Sequence, residues 1–287
     1  MNGIDRLSTL WATGQILPRV QRGDLYASAS RAHPAKMWPH TAAHAVAAFS
    51  RPGDWVLDPM CGIGTTMIEA IRLGRAAVGI DCEPDWVAAA SANLHLAKQA
   101  IPGVKGSVRL GDARRLARHV PRRLIGRIDL VVTSPPYGKA AHGRAFTRRE
   151  TGGAIAKRDY TYSTGRPDPQ QLARADLGGL LEGLGEVFTG CHRVLKRGGI
   201  MVLACRPFAH AGMLVDFPAE LTDVCQQIGF RLQGRCAALL AEWDADFGLR
   251  PIHSFFGLYN TRASIERGRL ALLRSHEDLL VFVKEET

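Results

Sequence analysis

The sequence predicts an α/β fold whose central sheet is doubly wound and mostly parallel, with an antiparallel hairpin at one edge. Short apolar runs typical of buried strands alternate with longer segments of helical periodicity, and several runs end in a polar residue or a glycine. The predicted strands cover residues 55–58, 76–80, 107–110, 128–132, 200–204 and 276–283, and a further strand opens at residues 229–232. The predicted helices cover residues 40–49, 67–73, 85–99, 175–194 and 220–228.

Length and composition exclude several classes of protein. A chain of 287 residues with 46% hydrophobic residues is enough for one such domain with insertions. No apolar run approaches the roughly 18 residues of a membrane span, and residues 1–10 lack the pattern of a secretory signal. Six cysteines without a CxxC pair predict small buried residues in a reducing cytosol. We therefore expect a cytoplasmic protein without a bound metal; a zinc site at Cys191 and His192 is the poorly spaced alternative.

The positive charge of the chain is concentrated in two windows. The net charge is +10, and a basic balance favours polyanionic partners. Residues 105–127 contain eight basic residues and one acidic residue, which leaves open whether this window is simply a solvated face. Residues 139–174 contain eight basic and three acidic residues. For this second window we expect contacts to phosphate. The candidate substrate-binding residues in it are Arg144, Arg148, Arg149, Lys157 and Arg158.

A glycine-rich turn joins the first strand to the following helix and has the features of a ligand-binding loop. Gly62 and Gly64 allow the backbone to approach a ligand closely, and Thr65 or Thr66 is expected to cap the helix. The next two predicted strands end in acidic residues. Asp81 has the position of an acid that accepts hydrogen bonds from ribose hydroxyls, and Asp112 is suited to an adenine amino group. The turn together with the two acidic strand ends is stronger evidence for a ligand-binding site than the turn alone.

The most informative stretch is residues 134–137, Ser-Pro-Pro-Tyr, at the end of the apolar run 128–132. Two prolines stop the strand and stiffen the chain after it. A serine before them and a tyrosine after them are then held rigidly at the edge of the sheet where ligands bind. Such a loop is suited to grip an exocyclic amino group and to stack on the ring that carries it.

Taken together, these motifs resemble those of the S-adenosylmethionine-dependent amino-methyltransferases of nucleic acids, which make N4-methylcytosine or N6-methyladenine in DNA. Residues 58–66 resemble the cofactor loop of that group and residues 134–137 its catalytic loop. Residues 33–37, His-Pro-Ala-Lys-Met, resemble the segment beside the methionine end of the cofactor, and residues 276–283 resemble the last strand. The match covers roughly residues 30–137, 176–205 and the final dozen.

The resemblance implies a Rossmann-like sheet of the class I methyltransferase type, with S-adenosylmethionine as the cofactor and a nucleic acid as the partner. It implies the following cofactor-binding residues: Lys36, Asp58, Pro59, Cys61, Gly62, Gly64, Thr65, Thr66, Asp81, Asp112 and Ala113. It also implies a catalytic loop formed by Ser134, Pro135, Pro136 and Tyr137.

The chemistry expected of this loop follows from the weakness of an exocyclic amine as a nucleophile, since its lone pair is conjugated into the ring. The Ser134 hydroxyl and the Pro135 carbonyl are the candidate acceptors for its hydrogens, and Tyr137 is the candidate stacking surface for a flipped base. Family members with serine before the prolines usually act on cytosine. The predicted function is therefore direct methylation of cytosine N4 in DNA, with adenine N6 as the other base.

We consider two alternatives to methylation of DNA. Transfer-RNA guanine-N2 methyltransferases share this motif order, but they usually have an aspartate in place of Ser134 and an amino-terminal RNA-binding domain. Only about 30 residues precede His33 here. The second alternative is a methyltransferase-like fold that binds nucleic acid without catalysis, and the intact motifs argue against it.

The predicted organisation is an extension at residues 1–32 followed by a single domain at residues 33–287. A short helix is expected near residues 7–13, with Trp11 packed against the domain. Residues 138–174 show no sustained periodicity and are predicted to be a substrate-contacting loop that orders on nucleic acid. Residues 250–256 are expected in a hairpin at the edge of the sheet. The sequence leaves the oligomeric state open.

Overall fold

The computed structural model describes residues 8–33, 35–141, 144–148, 155–159, 171–210, 213–246, 248–252, 261–262, 264–268 and 270–285. The strands are β1 (Leu10–Trp11), β2 (Trp55–Asp58), β3 (Ala76–Asp81), β4 (Gly106–Leu110), β5 (Ile128–Thr133), β6 (Arg144–Arg148), β7 (Ile155–Asp159), β8 (Leu195–Cys205), β9 (Phe208–His210), β10 (Met213–Val215), β11 (Phe230–Leu239), β12 (Ala241–Asp244), β13 (Gly248–Pro251) and β14 (His276–Lys284). The helices are α1 (Pro18–Arg22), α2 (Pro39–Phe49), α3 (Thr65–Arg72), α4 (Pro84–Ala100), α5 (Leu116–His119), α6 (Leu177–Val194) and α7 (Phe217–Ile228).

One large sheet organises the molecule, with strand order β1-β11-β14-β8-β5-β2-β3-β4. Strand β14 is antiparallel to both of its neighbours, and the other adjacent pairs in the sheet are parallel. The order reverses between β2 and β5, which is the switch point where open α/β sheets bind ligands. The predicted class, the mostly parallel sheet and the antiparallel pair near one edge are confirmed.

Helices cover both faces of the sheet, and this makes it doubly wound. Helices α6 and α7 pack on one face, where Phe188 and Phe217 lie in a buried cluster with the side chains of β5 and β8. Helices α2, α3 and α4 pack on the other face, where Val46 and Ile68 belong to a second cluster. Burial of both sheet faces explains why the central strands are continuous apolar runs in the sequence.

The amino-terminal segment supplies an edge strand where the sequence predicts a short helix. Strand β1 pairs in parallel with β11, with Trp11 opposite Ala238. Trp11 is 1% exposed, and its ring stacks on His44 of α2 with ring centroids 4.3 Å apart. The predicted helix is wrong because burial of this indole and pairing with the sheet edge outweigh a weak local helical preference. The expectation that Trp11 packs against the domain is confirmed.

One predicted helix cap also differs from the structure. Helix α3 begins at Thr65, and Gly64, with φ of 81°, precedes it without a side-chain cap, so neither Thr65 nor Thr66 has the predicted capping role.

Residues 196–199, at the start of β8, bulge from the sheet. The register with β5 moves from Ile128 opposite Leu195 to Leu130 opposite Ile200. A bulge keeps both flanking segments paired with the sheet, which a free turn does not.

Three hairpins extend from strands that run in the same direction. The β6–β7 hairpin follows β5, the β9–β10 hairpin follows β8, and the β12–β13 hairpin follows β11. Because β5, β8 and β11 share one direction, all three hairpins leave from the carboxyl edge of the sheet. Strands β6 and β7 correct the prediction that residues 138–174 lack regular structure. Residues 250–251 belong to the predicted hairpin, and residues 253–256 lie outside the described residues.

The six cysteines are free thiols, and five of them are buried. Burial raises the pKa of the Cys191 thiol and of Cys225 beside it in the same core cluster. No group of three or more potential metal-ligating side chains occurs within the described ranges. In the part of the chain that the structure describes, no helix is long and apolar enough to cross a membrane.

Asn93 of α4 joins three separate parts of the fold and is fully buried. Its side-chain nitrogen donates to the Ser30 hydroxyl at 2.9 Å and to the Ile63 carbonyl at 2.8 Å. Its side-chain oxygen accepts from the backbone amide of Ala27 at 2.7 Å. The amide group thus ties the amino-terminal segment and the glycine-rich turn to α4, and each of its atoms has a partner.

Asn93→Ala is expected to lower the free energy of unfolding by about 1–3 kcal/mol, because it leaves buried backbone groups without partners. Gln99→Ala, on an exposed turn of the same helix, is the matched control and should change stability by less than about 0.5 kcal/mol. Urea unfolding followed by circular dichroism measures both. Equal stabilities for the two variants would contradict the role of Asn93.

Candidate active site

Four neighbouring parallel strands deliver the candidate site residues to one edge. Asp58 ends β2, Asp81 ends β3, Asp112 follows β4 and Ser134 follows β5. The register aligns Asp81 with Leu110, and the Gly111 amide donates to the Asp81 carbonyl at 2.9 Å. The structure therefore brings the predicted turn, both acidic strand ends and the predicted catalytic loop together at the switch point of the sheet.

Hydrogen bonds to the end of β3 fix the glycine-rich turn. The Cys61 amide donates to the Ile80 carbonyl at 2.9 Å, and the Gly62 amide donates to the Asp81 carboxylate at 2.8 Å. Gly62 has a φ of 50°, in the left-handed region that favours glycine. A Cβ atom at Gly62 would lie 3.0 Å from the His33 Nε2 atom, so a side chain there would be strained and crowded. Gly62 thus keeps the turn close to the amino-terminal segment.

Asp81 holds two backbone segments at once. One carboxylate oxygen accepts the Gly62 amide, and the other accepts the Glu83 amide at 3.0 Å. Burial raises the pKa of Asp81 to about 6, although both amides favour its charged form. A carboxylate in this state keeps lone pairs for additional donors such as ribose hydroxyls.

Asp58 links the turn to the catalytic loop. It is 4% exposed, and one of its oxygens accepts the Met60 amide at 3.2 Å. Burial raises the pKa of Asp58 to about 6, while the hydroxyls of Thr133 and Thr66 stabilise its charged form. Thr133 directly precedes Ser134, so the carboxyl group of Asp58 lies between the two loops. Pro59 follows Asp58 in the same turn.

The segment that begins at His33, ahead of β2, lies next to Gly62. The His33 ring is buried and contacts Trp86 edge-on at 4.5 Å between centroids. Burial lowers the pKa of His33 to about 4, so the ring is neutral at pH 7. The Lys36 ammonium donates to the His33 carbonyl, and burial, followed by the charge of Arg22, lowers the pKa of Lys36 to about 8.

Asp112 has a strong partner within its own turn. The Arg114 guanidinium donates to both of its carboxylate oxygens, at 2.9 and 3.1 Å, and the Arg114 amide donates to one at 3.0 Å. Partial burial opposes ionisation of Asp112, but the contacts with Arg114 prevail and lower its pKa. Ala113 begins the short 3₁₀ turn after it. A ligand amine at Asp112 therefore shares the carboxylate with Arg114.

The Ser134–Tyr137 loop leaves β5 with Pro135 buried and the other three residues partly exposed. The Tyr137 ring packs against Phe208 at 5.7 Å and Phe217 at 5.3 Å between centroids. These contacts hold the phenol ring at the mouth of the site. Within the described residues, the Ser134 hydroxyl has no hydrogen-bond partner, which leaves it available to a substrate group.

The basic insertion at residues 138–174 has its two ends joined by a backbone hydrogen bond, which forms a neck. The Lys139 amide donates to the Ala175 carbonyl at 2.9 Å. At the same neck, the Gln171 side-chain amide donates to the Glu83 carboxylate, two residues from Asp81. Both ends of the insertion are therefore fixed beside the candidate cofactor site.

The predicted substrate-binding residues do not all fall in the described part of the chain. Arg144 and Arg148 lie on β6, and Lys157 and Arg158 lie on β7. Arg149 lies outside the described residues. The pairing of β6 with β7 brings these four positions into one hairpin that follows the catalytic loop.

Several residues that shape the site gave little or no signal in the sequence. Glu83 is buried at the start of α4, and only its position before Pro84, typical of a helix start, gave a local signal. Gln171, Asn93 and Arg206 gave no signal, because their partners lie far from them in the sequence.

Part of the chain is similar in sequence to known methyltransferases. Residues 4–92 match a family model described as DNA methylase, N6_N4_Mtase. The chain is 35% identical over 107 residues to a tRNA (guanine(10)-N2)-dimethyltransferase of Methanocaldococcus jannaschii, covering 37% of this chain and 30% of that protein. It is 30% identical over 94 residues to the Type II methyltransferase M2.DpnII of Streptococcus pneumoniae, covering 33% and 32%. The chain thus covers less than a third of the length of these curated relatives.

Solved structures show the fold. TrmN from Thermus thermophilus matches with a TM-score of 0.51 and 17% identity, covering 90% of this chain and 52% of that chain. A SAM-dependent O-methyltransferase from Thermotoga maritima matches with a TM-score of 0.50 and 10% identity, covering 88% and 67%. The family match points to S-adenosylmethionine as the cofactor. The chain has the class I methyltransferase fold, and the resemblance of its motifs to the amino-methyltransferases of nucleic acids is confirmed.

Proposed function

We propose that this protein transfers a methyl group from S-adenosylmethionine to an exocyclic amino nitrogen of a nucleobase in a nucleic acid. The observation that carries the proposal is the adjacency of the glycine-rich turn and the Ser134–Tyr137 loop at the ends of the paired strands β2 and β5. A methyl donor and its acceptor must meet in line for direct transfer, so their binding loops must adjoin.

The residues of the turn fit this cofactor. Gly62 leaves room that a Cβ atom would fill, and Asp58 and Asp81 supply acceptors for hydroxyl and ammonium donors. In this proposal Asp81 holds the ribose, Asp112 the adenine amino group, and the Lys36 segment covers the methionine end. The remaining proposed cofactor contacts are Pro59, Cys61, Gly64, Thr65, Thr66 and Ala113. The bound cofactor supplies an electrophilic methyl group on a positively charged sulfur.

The catalytic loop prepares the amine. The Ser134 hydroxyl and the Pro135 carbonyl accept the two amine hydrogens, so the nitrogen lone pair turns away from the ring and toward the methyl carbon. One amine proton leaves through these acceptors to water as the nitrogen gains its new bond to carbon. The bound cofactor would supply that methyl carbon and would keep the electron pair of its carbon–sulfur bond. Pro136 keeps the loop rigid, and Tyr137 stacks on the flipped base.

The first candidate substrate is cytosine N4 in DNA, with adenine N6 as the other base. Serine at position 134 and the DNA methylase family match support it. In this reading the basic hairpin β6–β7, with Arg144, Arg148, Lys157 and Arg158, contacts phosphates together with Arg149.

The second candidate substrate is guanine N2 in transfer RNA. The archaeal tRNA (guanine(10)-N2)-dimethyltransferases support it, because they share 35% and 37% identity with this chain over their aligned segments. The same loop chemistry applies, since guanine N2 is also an exocyclic amine.

A methyl-transfer assay with labelled S-adenosylmethionine tests the proposal, with duplex DNA and bulk transfer RNA offered in parallel. Nucleoside mass analysis then identifies the product. We expect label in N4-methylcytosine from DNA; N2-methylguanosine from RNA would select the second candidate. No label in either nucleic acid, from protein that binds the cofactor, would overturn the proposed function.

Ser134→Ala is expected to lower kcat for methyl transfer at least tenfold, because one acceptor for the amine hydrogens is lost. The affinity for S-adenosylmethionine should stay within about twofold of wild type. Ser91→Ala, at an exposed position of α4, is the matched control and should leave both quantities unchanged. A kcat for Ser134→Ala equal to that of the control would remove Ser134 from the mechanism.

Cofactor affinity is expected to fall as the pH drops below 6. The pKa values of Asp58 and Asp81 are raised to about 6, so both carboxylates are charged at pH 7.5 and protonated near pH 5. If binding requires one charged carboxylate, affinity falls about tenfold per pH unit below the pKa. Asp81→Asn should bind more weakly at pH 7.5 and show a shallower pH dependence. Calorimetry from pH 5.0 to 7.5 checks this, and a flat wild-type profile would contradict it.

A further inference from the structure

Two arginines outside the basic windows approach the mouth of the candidate active site. Arg206 follows β8 directly, and Arg274 lies just ahead of β14. The antiparallel register pairs Asp278 of β14 with Cys205, the last residue of β8. The segment before β14 therefore lies at the same carboxyl edge of the sheet as Arg206.

Arg206 covers the ring that is proposed to stack on the substrate base. Its guanidinium carbon lies 5.8 Å from the centroid of the Tyr137 ring. The Arg206 side chain is exposed, whereas Phe208 and Phe217 pack against Tyr137 from the core. This is a cation–π contact at an accessible site, where such contacts are weak. Such a contact is weak enough for a stacking base to displace it.

The acids that attract the two arginines are Glu277, which acts on Arg206, and Asp278, which acts on Arg274. Within the described residues, neither guanidinium has an ion pair with a carboxylate. Asp278 is engaged by Arg235, whose Nε atom lies 2.8 Å from a carboxylate oxygen. Burial raises the pKa of Glu277, and the positive charge of Arg206 opposes that rise.

The two arginines also repel each other. Burial lowers the pKa of the half-buried Arg274, and the charge of Arg206 lowers it further, while Tyr137 and Asp278 act in the opposite direction. Two guanidinium groups held near each other without a bridging acid create a local positive potential. An anion placed between them relieves that repulsion, and the planar fork of arginine suits the oxygens of phosphate.

We propose that Arg206 and Arg274 form a phosphate-binding pair for the nucleotide whose base enters the Ser134–Tyr137 loop. The inference deepens the proposed function and rests on it. In the free protein Arg206 caps the Tyr137 ring. When a nucleotide binds, its base takes the ring face, and the Arg206 guanidinium turns to the phosphodiester beside Arg274.

The arginine pair is suited to hold the backbone of the reacting nucleotide, a role distinct from that of the basic hairpin. A flipped nucleotide must be held by its own backbone while its base occupies the site. Among the described residues, the insertion that contains β6–β7 is fixed beside the site at its neck. Arg206 is fixed directly to the end of β8, next to the ring that receives the base. The pair is therefore suited to hold the reacting nucleotide, and the hairpin to hold its neighbours.

The test uses the full chain and fluorescence anisotropy with a labelled single-stranded oligonucleotide of mixed sequence, as DNA and as matching RNA. Arg206→Ala/Arg274→Ala is compared with wild type across a range of salt concentrations. Loss of the one phosphate that the pair neutralises should reduce the slope of log affinity against log salt by about 0.7. Arg206→Lys/Arg274→Lys should retain most of that slope but bind more weakly, because lysine lacks the fork.

The control is Arg197→Ala, at an exposed position of the opposite sheet edge, in the bulge at the start of β8. It should leave the salt slope within about 0.3 of wild type, since it removes no phosphate contact. Calorimetry with S-adenosylmethionine accompanies each variant. We expect an unchanged cofactor affinity for the double alanine variant.

Each outcome separates the inference from the proposed function. A folded double alanine variant with the wild-type salt slope overturns the phosphate-binding pair, even if wild type methylates nucleic acid. A large loss of cofactor affinity also overturns it, because the pair would then bind the carboxylate of the cofactor. If wild type binds S-adenosylmethionine but neither oligonucleotide, the proposed function fails with it.

Discussion

The buried carboxylate of Asp81 is the interaction on which the rest of the site depends. It accepts the Gly62 amide from the turn and the Glu83 amide from the start of α4, so one charge fixes two backbone segments. Glu83 in turn receives Gln171 from the end of the basic insertion. A rigid turn, a helix start and the neck of a substrate-binding element are thus positioned from the end of one strand. Burial is tolerated because backbone donors surround the charge.

A second buried carboxylate lies at the end of the neighbouring strand, between the two loops. Asp58 is buried between the glycine-rich turn and Thr133, the last residue before the catalytic loop. Strands β2 and β5 are adjacent in the sheet, so the two loops start from neighbouring, paired strand ends. In-line methyl transfer depends on a fixed distance between donor and acceptor, and this arrangement supplies it without a moving part.

The direction of the strands explains the shape of the proposed substrate surface. Strands β5, β8 and β11 run the same way, so the insertion, the β9–β10 hairpin and the β12–β13 hairpin all leave from the edge that contains the site. Arg206 lies between β8 and the β9–β10 hairpin, beside the Tyr137 ring. Positive charge is therefore supplied by segments distant in sequence that meet only because the sheet brings their ends together.

Local signals determined much of this protein. Apolar strands, the glycine turn and the Ser134–Tyr137 loop are predictable because their information lies within a few consecutive residues and in backbone restrictions imposed by glycine and proline. The edge strand at Trp11 and the β6–β7 hairpin were missed because pairing with a distant or poorly patterned partner overrides weak local preference. Three sets of contacts were decided only by the tertiary structure: those of Asp81 with two backbone amides, those of Asn93 with separate segments, and that of Arg206 with the Tyr137 ring. They depend on burial and on chain segments far apart in the sequence.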